Sequence, residues 1–600
     1  MLEKKKKNAE VLIGILAIIL LPLATKNSNY FLHILFLVAI KAYLAVSWNI
    51  MSGFSGQMSL GHSAFVGVGA YFSTILYVRG GLNPWLAMVL AALTVALIGV
   101  ALGLAIFRLR SAFFALGTMA LVTIARQLMI YFKDFTNGSQ GFSYPVTNDG
   151  LAYIYFPDSK LGYVYIALTF LVVALFAAYK ISRSKLGLDL FSLRDDHDAA
   201  SSLGVDTMGA KLWAMGISCL MVSMGGSLYA HYCLYIDPST IFDAQIGMDM
   251  VTMTMLGGIG TLWGPVIGAV LLVPLDTLLR AILGGGSWAG ADLIIYGAAL
   301  IAVIRFCPMG LLPLLKAKLG KRFGIGKPEA SEPGKRGGAN AQKDADTASV
   351  IQAPPQTFDG PILKVENLCM YFGGLKAVEN VSFEVNPGEI FGIIGPNGAG
   401  KTTIFNAITG FFKPTGGAVC YMGHRLKNGV RPNQLAKLGL TRTFQSVKPF
   451  FRMNVRQSVM AGVMLRNRDF DQAAAIADEI LDILGLAHRA DKLPSNLTVA
   501  EQKRLDMARA LATNPRLLML DEPMAGLTDN EVNELIGIIR SLVGYGITVI
   551  VIEHVMRAVM NLCDRVIVLD HGEIICVGAP GEVVKDPHVI EVYLGEKIDD

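Results

Sequence analysis

The chain carries the stretch Gly395-Pro396-Asn397-Gly398-Ala399-Gly400-Lys401-Thr402-Thr403, which has the spacing of a phosphate-binding loop: glycine, four residues, then Gly-Lys-Thr. The apolar run before it predicts a short buried strand, and the residues after it predict a helix. Glycines let several backbone N–H groups point at one phosphate chain, and the helix start adds its positive dipole end. The stretch therefore predicts a site for ATP and Mg²⁺, with Lys401 on the β- and γ-phosphates and the Thr402 hydroxyl on the metal.

Composition divides the chain into an apolar and an ordinary part. Of 600 residues, 53% are hydrophobic and 16% are charged, whereas soluble proteins average about 25% charged residues. Residues 11–306 are largely apolar, and residues 360–600 resemble a soluble domain. The net charge of +5 is small for this length and does not indicate nucleic acid. The seven cysteines form no CxxC pair and no Cys/His cluster with metal-ligand spacing, which predicts reduced thiols.

The apolar part predicts about ten transmembrane helices, since a span needs about 20 mostly apolar residues. The predicted spans are residues 11–26, 31–50, 61–78, 84–107, 113–132, 163–182, 211–233, 246–260, 263–282 and 289–306. Ten spans place every cluster of Lys and Arg near span ends on the cytoplasmic side, beginning with Lys4–Lys7. No small-residue cleavage motif follows clearly after the first span, so we expect a retained anchor rather than a signal peptide.

Two glycine-rich stretches, Gly53–Phe65 and Gly257–Pro265, interrupt the apolar segments. Such breaks occur where backbone lines a cavity or where helices pack closely through small residues, and the sequence leaves both explanations open. We expect His62 to be buried and hydrogen-bonded. Lys41 is alone in an apolar run and should face the bundle interior or a cavity, with a partner that the sequence does not identify.

Two segments of the chain are polar and interrupt or follow the apolar part. The loop that begins Arg194-Asp195-Asp196 falls on the cytoplasmic side and has a short helical pattern. Two explanations stay open: a solvated loop, or a helix that docks on the C-terminal domain. From 315 to 358 the sequence is rich in Gly, Pro, Ala, Lys and Asp, without apolar periodicity, which is typical of a flexible linker. The predicted domains are therefore residues 1–314, which span the membrane, a linker over 315–358, and a nucleotide-binding domain over 359–600.

Acidic residues follow a second predicted strand of the C-terminal domain. The apolar run Arg516–Leu520 ends in Asp521-Glu522. We expect Asp521 to hold Mg²⁺ and Glu522 to polarise the attacking water as a general base. A third apolar strand, Thr548–Ile552, is followed by Glu553 and His554.

These motifs, with Gln445 and His554, come in the order found in ABC-transporter ATPases, and residues 360–600 resemble that family. The resemblance implies that Phe372 stacks on adenine, that Gln445 contacts Mg²⁺ and that His554 contacts the γ-phosphate. It also makes Leu497-Thr498-Val499-Ala500-Glu501 the counterpart of the Leu-Ser-Gly-Gly-Gln signature. Here Val499 and Ala500 add bulk where glycine lets backbone approach phosphate, and Glu501 adds a negative charge. Either the signature is weakened or it is a fully active variant.

The N-terminal part resembles the permeases of branched-chain amino acid importers, through Ser55–Phe65, Leu256–Gly260 and the coupling segment Arg194–Gly204. The ends of the C-terminal domain resemble the ATPases of the same importers. The resemblance implies a permease and an ATPase of one inner-membrane importer, fused head to tail, which hydrolyses ATP to drive import. It implies a second permease, a second ABC ATPase, a periplasmic substrate-binding protein and membrane lipid as partners.

Three alternatives remain open at this stage. Related permeases import urea or short amides. An exporter needs no binding protein, although the glycine-broken spans argue against one. A membrane-tethered regulatory ATPase would bind nucleotide without moving a solute.

Overall fold

A computed structural model describes residues 20–109, 111–145, 150–283, 297–298, 301, 305, 310–312 and 359–594. They form two compact units. The helical unit contains the described residues up to 182 and from 208 to 312. The mixed unit contains residues 183–207 together with residues 359–594. The predicted linker lies outside the described residues.

The described residues before the linker form helices and two short strands. They are α1 (Asn29–Trp48), a π-helical turn (Asn49–Gly53), α2 (His62–Val78), α3 (Pro84–Ile106), α4 (Ser111–Tyr131), α5 (Lys133–Thr136), β1 (Phe142–Ser143), α6 (Leu161–Ser182), α7 (Lys185–Asp195), α8 (His197–Ser202), α9 (Thr207–Cys233), β2 (Tyr235–Ile236), α10 (Pro238–Ile241), α11 (Ala244–Gly257) and α12 (Gly264–Leu283).

The elements after the linker are a mixture of strands and helices. They are β3 (Leu363–Phe372), β4 (Leu375–Val385), β5 (Ile390–Ile394), α13 (Lys401–Ile408), β6 (Gly416–Tyr421), β7 (His424–Arg425), α14 (Pro432–Leu438), β8 (Leu440–Arg442), α15 (Val455–Val463), α16 (Phe470–Ile483), α17 (Val499–Leu511), β9 (Leu517–Asp521), α18 (Asp529–Gly544), β10 (Thr548–Ile552), α19 (Met556–Leu562), β11 (Arg565–Asp570), β12 (Glu573–Gly578), α20 (Pro580–Val583) and α21 (Pro587–Leu594).

The mixed unit is built on a six-stranded sheet in the order β12-β11-β5-β10-β9-β8. Strands β11, β5, β10, β9 and β8 are parallel, and β12 is antiparallel to β11. Both faces of the sheet are buried. In β9, Leu518 and Leu520 pack into one apolar cluster, while Leu517 and Met519 pack into another. A strand covered on both faces needs a continuous apolar run, which is why the sequence pattern predicts β5, β9 and β10 correctly.

The helical unit contains six helices that are long and apolar enough to cross a membrane, within the described residues. They start at residues 29, 84, 112, 161, 207 and 264, and the first continues through the π-helical turn. Two further predicted spans coincide with shorter helices, α2 and α11, of 17 and 14 residues. The predicted spans 11–26 and 289–306 lie largely outside the described residues. The structure therefore supports a membrane-type helical unit and leaves the count of about ten spans as a prediction.

Both predicted glycine breaks are present, and one side chain joins them. After α1 the chain makes the π-helical turn, and α11 and α12 are separated by Gly258–Trp263. Asn49, in the π-helical turn, accepts a hydrogen bond from Gly260 N at 2.8 Å and donates one to Thr261 O at 2.9 Å. The amide side chain satisfies backbone groups that the second break leaves outside a helix.

His62 is buried, as predicted. Its Nδ1 lies 2.8 Å from Ser59 Oγ, and its Nε2 lies 3.0 Å from Ser218 Oγ. Both ring nitrogens thus have partners, so His62 joins the first glycine-rich stretch, at the start of α2, to α9 as part of the packing.

Glycine also brings α11 and α12 into backbone contact. A Cβ on Gly268 would lie 1.8 Å from the Met253 carbonyl oxygen, and one on Gly257 would lie 1.7 Å from the Gly264 carbonyl oxygen. Neither carbonyl can move without moving its helix. Of the two explanations left open for this break, close helix packing is the one these contacts support.

We expect Gly268→Ala to lower the unfolding temperature of the detergent-solubilised protein by several degrees. Overpacking against a backbone atom costs about 1–3 kcal/mol, which exceeds the helix propensity gained by alanine. The matched control is Gly117→Ala, because the nearest atom to its Cβ is the flexible Leu109 Cδ1 at 3.1 Å. Thermal unfolding followed by fluorescence measures both, and equal unfolding temperatures would contradict the packing argument.

Candidate active site

The phosphate-binding stretch forms the connection from β5 to α13, with Gly395, Gly398 and Gly400 at positive φ. A Cβ on Gly395 would lie 2.2 Å from the Leu569 carbonyl oxygen, so no other residue fits there. Lys401 is buried, and its Nζ donates to the carbonyl oxygens of Gly395 and Pro396 at 2.6 and 2.7 Å. Burial lowers the pKa of Lys401, while Glu522 and Asp521 oppose that shift. The ammonium therefore lies across the loop, where a phosphate chain would meet it.

Asp521 ends β9 and is buried. Its Oδ2 accepts a hydrogen bond from Arg442 Nη2 at 3.0 Å. Burial raises the pKa of Asp521 to about 6, against the attraction of Arg442. Its Oδ1 is buried and has no hydrogen-bond partner among the described residues. A hard cation prefers such an oxygen ligand, so the geometry of Asp521 fits the predicted Mg²⁺.

Glu522 follows with a φ of +47°, a strained backbone angle that turns its side chain out of the strand direction. Its carbonyl oxygen accepts from Lys503 Nζ at 2.6 Å. Its Oε2 accepts from Gln445 Nε2 at 2.9 Å, and His554 Nδ1 lies 3.9 Å from the same oxygen. The three predicted catalytic side chains, Glu522, Gln445 and His554, are therefore neighbours.

One cleft contains most of the predicted nucleotide-binding residues. It has a volume of about 390 Å³. Phe372 lies at the end of β3, 44% exposed and edge-on to Phe412 at 5.4 Å. The cleft is lined by Phe372, Leu375, Lys376, Ala377, Asn397, Gly398, Ala399, Gly400, Lys401, Thr402, Thr403, Gln445, Glu522 and His571. The order of strands explains this, since β5, β10 and β9 are neighbours and the loops after them meet at one edge.

Sequence analysis missed His571, which lines this cleft, and two residues that contact Asp521 and Glu522. Arg442 pairs with Asp521, and Lys503 holds the Glu522 carbonyl. His571 lies in the turn between β11 and β12, with a φ of +43°. The Asp-His-Gly sequence at 570–572 is a hairpin-turn signal that would have placed His571 in a turn. No local pattern marks Arg442 or Lys503, because their partners lie 79 and 19 residues away.

In the signature stretch, the Glu501 carboxylate contacts the start of its own helix, α17. Thr498 caps α17, and its hydroxyl accepts from Glu501 N at 3.2 Å, while Glu501 Oε2 accepts from Thr498 N at 2.8 Å. Glu501 Oε1 accepts from Arg489 Nε at 2.8 Å. Ala500 is buried and Val499 is 57% exposed. The predicted unfavourable charge of Glu501 is thus balanced locally by Arg489, and Val499 is the added bulk that faces outward.

The predicted coupling segment contacts residues of the same unit. Lys448 Nζ lies 3.1 Å from Asp196 Oδ2 and 3.4 Å from Asp198 Oδ2. Asp195 Oδ2 accepts from Arg452 N at 3.3 Å. Burial and the nearby Arg452 lower the pKa of Arg194 to about 10. Leu188 of α7, Ala199 of α8 and Leu203, directly after α8, share an apolar core with residues that follow β8.

A short segment, 442–448, contacts both the carboxylates and the coupling segment. The centroid of the Phe444 ring lies 4.9 Å from the Arg442 guanidinium carbon and 4.7 Å from Lys448 Nζ. Phe444 N donates to Asp506 at 3.1 Å, and Arg509 Nη1 donates to the Lys448 carbonyl at 2.7 Å. Asp506 and Arg509 belong to α17, the helix that the signature begins. Because segment 442–448 contacts both Asp521 and Asp196, a shift of the segment would change the ion pairs of both carboxylates.

Fold and cleft define a P-loop ATPase of the ABC-transporter class. The family model for ABC transporters matches residues 378–525. The model described as the permease component of the branched-chain amino acid transport system matches residues 30–304, and that of the branched-chain amino acid ATP-binding cassette transporter matches residues 573–599. The chain belongs to the branched-chain amino acid ABC transporter family, with a permease and an ATP-binding subunit fused in one polypeptide. It hydrolyses ATP in a reaction coupled to transport.

Relatives of the ATPase half support this placement. The ATP-binding protein LivG of high-affinity branched-chain amino acid transport in Escherichia coli K12 is 41% identical over 252 residues, 39% of this chain and 98% of LivG. The corresponding protein BraF of Pseudomonas aeruginosa is 37% identical over 252 residues, 39% of this chain and 98% of BraF. LptB, an ATP-binding protein of lipopolysaccharide export in Haemophilus influenzae, is 35% identical over 238 residues, 39% of this chain and 98% of LptB.

We expect Lys448→Met to lower solute uptake by the assembled transporter two- to tenfold more than it lowers ATPase activity. The substitution removes both ion pairs to the coupling segment, and partly exposed pairs contribute about 0.2–1 kcal/mol each. Lys585→Met, at an exposed lysine outside this contact, is the control. Uptake and phosphate release are measured on the same vesicles, and an equal loss of both activities would contradict a coupling role.

Proposed function

We propose that this chain imports branched-chain amino acids across the inner membrane, as the fused permease and ATPase of an ABC importer. The observation that carries the proposal is the presence, in one polypeptide, of a match to the branched-chain permease model and an ATPase resembling LivG. About ten spans cross the membrane in this proposal, and the ATPase domain is cytoplasmic. Because LptB serves export and is also similar to the ATPase half, the direction of transport rests on the permease half.

The proposed chemistry at the nucleotide follows from the cleft. Lys401 and the backbone N–H groups of the loop bind the phosphate chain, and Phe372 offers an exposed ring for adenine. Asp521, Thr402 and Gln445 would hold Mg²⁺, which would neutralise phosphate charge. Arg442 orients Asp521 by holding Oδ2, so that Oδ1 faces the nucleotide.

Glu522 acts as general base in this proposal. Its strained backbone and the Lys503 contact hold the carboxylate in place, and Gln445 fixes its orientation. Glu522 takes a proton from the attacking water, whose oxygen bonds to the γ-phosphorus as the bond to ADP breaks. His554, beside the same carboxylate, contacts the γ-phosphate.

The proposed partners are a second permease, a second ABC ATPase and an external substrate-binding protein, with membrane lipid around the spans. In an ABC dimer each ATP lies between one subunit's phosphate-binding loop and the other's signature. The signature of this chain presents Val499 outward, where the family has glycine. We therefore propose a heterodimer, in which the loop and carboxylates of this chain work with the partner's signature.

One experiment separates the rival functions. The chain is reconstituted in vesicles with its partner subunits, and uptake of radiolabelled leucine and of urea is measured with ATP, using Glu522→Gln as the inactive control. ATP-dependent leucine uptake supports the proposal, and urea uptake alone would favour the amide importer. Outward transport would indicate an exporter, and ATP hydrolysis without movement of a solute would indicate a regulatory ATPase.

We expect Lys401→Ala to abolish nearly all ATP binding, because the ammonium across the loop is lost. Glu522→Gln should bind ATP normally and lower turnover by about 10²–10⁴-fold, the usual range for a general base. Binding of radiolabelled ATP and phosphate release measure the two effects. Lys413→Ala, at an exposed lysine, is the control. Near-normal hydrolysis in both variants would refute the assignment.

We expect the isolated chain to have little ATPase activity and a second ATPase subunit to restore it. A homodimer would place Val499 at both nucleotide sites, whereas a heterodimer keeps one site with the partner's signature. Glu522→Gln in this chain should therefore be far more damaging than the same change in the partner. Vanadate-sensitive ATPase activity is measured with and without the partner subunits. Full substrate-stimulated activity of the homodimer would mean that Leu497–Glu501 is a working signature.

A further inference from the structure

Two opposite charges are paired within the apolar helices of the helical unit. Lys41, in α1, donates from Nζ to Asp249 Oδ2, in α11, at 2.7 Å. The second carboxylate oxygen accepts from Gln245 Nε2 at 2.9 Å. The side chains of Lys41 and Asp249 are 29% and 15% exposed, so the pair is accessible from one side. This is the partner that the sequence did not identify for Lys41.

The pair borders a small space between α1, α11 and α12. Its volume is about 20 Å³, enough for about one water molecule. On α12 a second ion pair faces it, with Arg280 Nε 2.9 Å from Asp276 Oδ1. The remaining wall is apolar and is formed by Met253, Leu272 and Val273. Charged groups of both signs thus adjoin an apolar wall.

Holding the helices together does not explain this pair. Charged side chains in membrane helices are costly, and in such helices they mark functional positions. Where a paired charge serves packing alone, apolar side chains of similar volume give equal or greater stability. Met253, Leu272 and Val273 line the same space, so apolar side chains in place of the pair would find apolar neighbours.

A zwitterion carries one positive and one negative charge, so it can replace the contact between Lys41 and Asp249 and give each of them a counter-ion. Its carboxylate would take Lys41 and its ammonium would take Asp249, while an apolar side chain meets the apolar wall. An uncharged solute cannot separate the pair in this way. A ligand with only one charge would leave either Lys41 or Asp249 without a counter-ion, which is unfavourable away from water.

We propose that Lys41 and Asp249 bind the carboxylate and ammonium groups of a zwitterionic, apolar amino acid during transport. The inference rests on the proposed import function, and it assigns the substrate contact within that function. In the structure the pair is closed on itself, and binding requires Lys41 Nζ and Asp249 Oδ2 to separate.

The test is a double-mutant cycle in the complete transporter, reconstituted with its partner subunits and binding protein. The variants are Lys41→Met, Asp249→Leu and the double variant, with Lys26→Met as control at an exposed lysine. Thermal unfolding and ATP-dependent leucine uptake are measured for each. We expect each single variant to lose stability and uptake. The double variant should regain the wild-type unfolding temperature, while its leucine uptake stays at least tenfold below wild type.

Recovery of uptake by the double variant to within twofold of wild type would overturn the inference, because the pair would then be structural. Should the double variant not assemble, Lys41→Arg decides. It keeps the charge pair but offers a carboxylate a planar guanidinium, so the leucine concentration for half-maximal uptake should rise at least threefold, and an unchanged value overturns the inference. A wild-type complex that takes up no amino acid would overturn the proposed import function as well, which separates the two failures.

Discussion

The buried ion pair between Arg442 and Asp521 is the contact on which the ATPase half depends. It joins the last residue of β8 to the last residue of β9, across neighbouring strands. Because Arg442 engages Oδ2, the other carboxylate oxygen is left for a cation. Breaking a buried pair by removing one partner costs several kcal/mol, so the carboxylate and the start of segment 442–448 are fixed together. Further along this segment, Asp506 and Arg509 of α17 hold Phe444 N and the Lys448 carbonyl.

In the helical unit, the main constraint is the close approach of the α11 and α12 backbones. Gly257, Gly264 and Gly268 allow carbonyl groups of α11 and α12 to approach where a methyl group would collide. Asn49 then satisfies backbone groups at the break between these helices. Asp249 on α11 also pairs with Lys41 on α1. Small residues therefore set how closely α11 and α12 pack.

In the signature stretch, Glu501 makes two contacts that neutralise its charge locally. In sequence Glu501 is an acid at the position where the Leu-Ser-Gly-Gly-Gln signature has glutamine. In the structure the carboxylate completes a capping box with Thr498 and pairs with Arg489. Burial raises the pKa of Glu501, while the Thr498 N–H and Arg489 outweigh it and leave a net lowered pKa. The Glu501 carboxylate is therefore paired at the start of α17. The exposed Val499 side chain is then the main difference between this surface and the Leu-Ser-Gly-Gly-Gln signature, which has glycine there.

Much of the fold and of the nucleotide site was determined by sequence alone, because their signals are local. Gly395–Thr403 and the apolar runs of β5, β9 and β10 each carry their own pattern, and so do the apolar helices. Gln445 and His554 needed the family's order of motifs. Only the tertiary structure decided the contacts between distant residues, such as Lys41 with Asp249 and Lys448 with Asp196, which are 208 and 252 positions apart. No local pattern encodes such a pair, because its free energy exists only once the chain has packed and excluded water from between the partners.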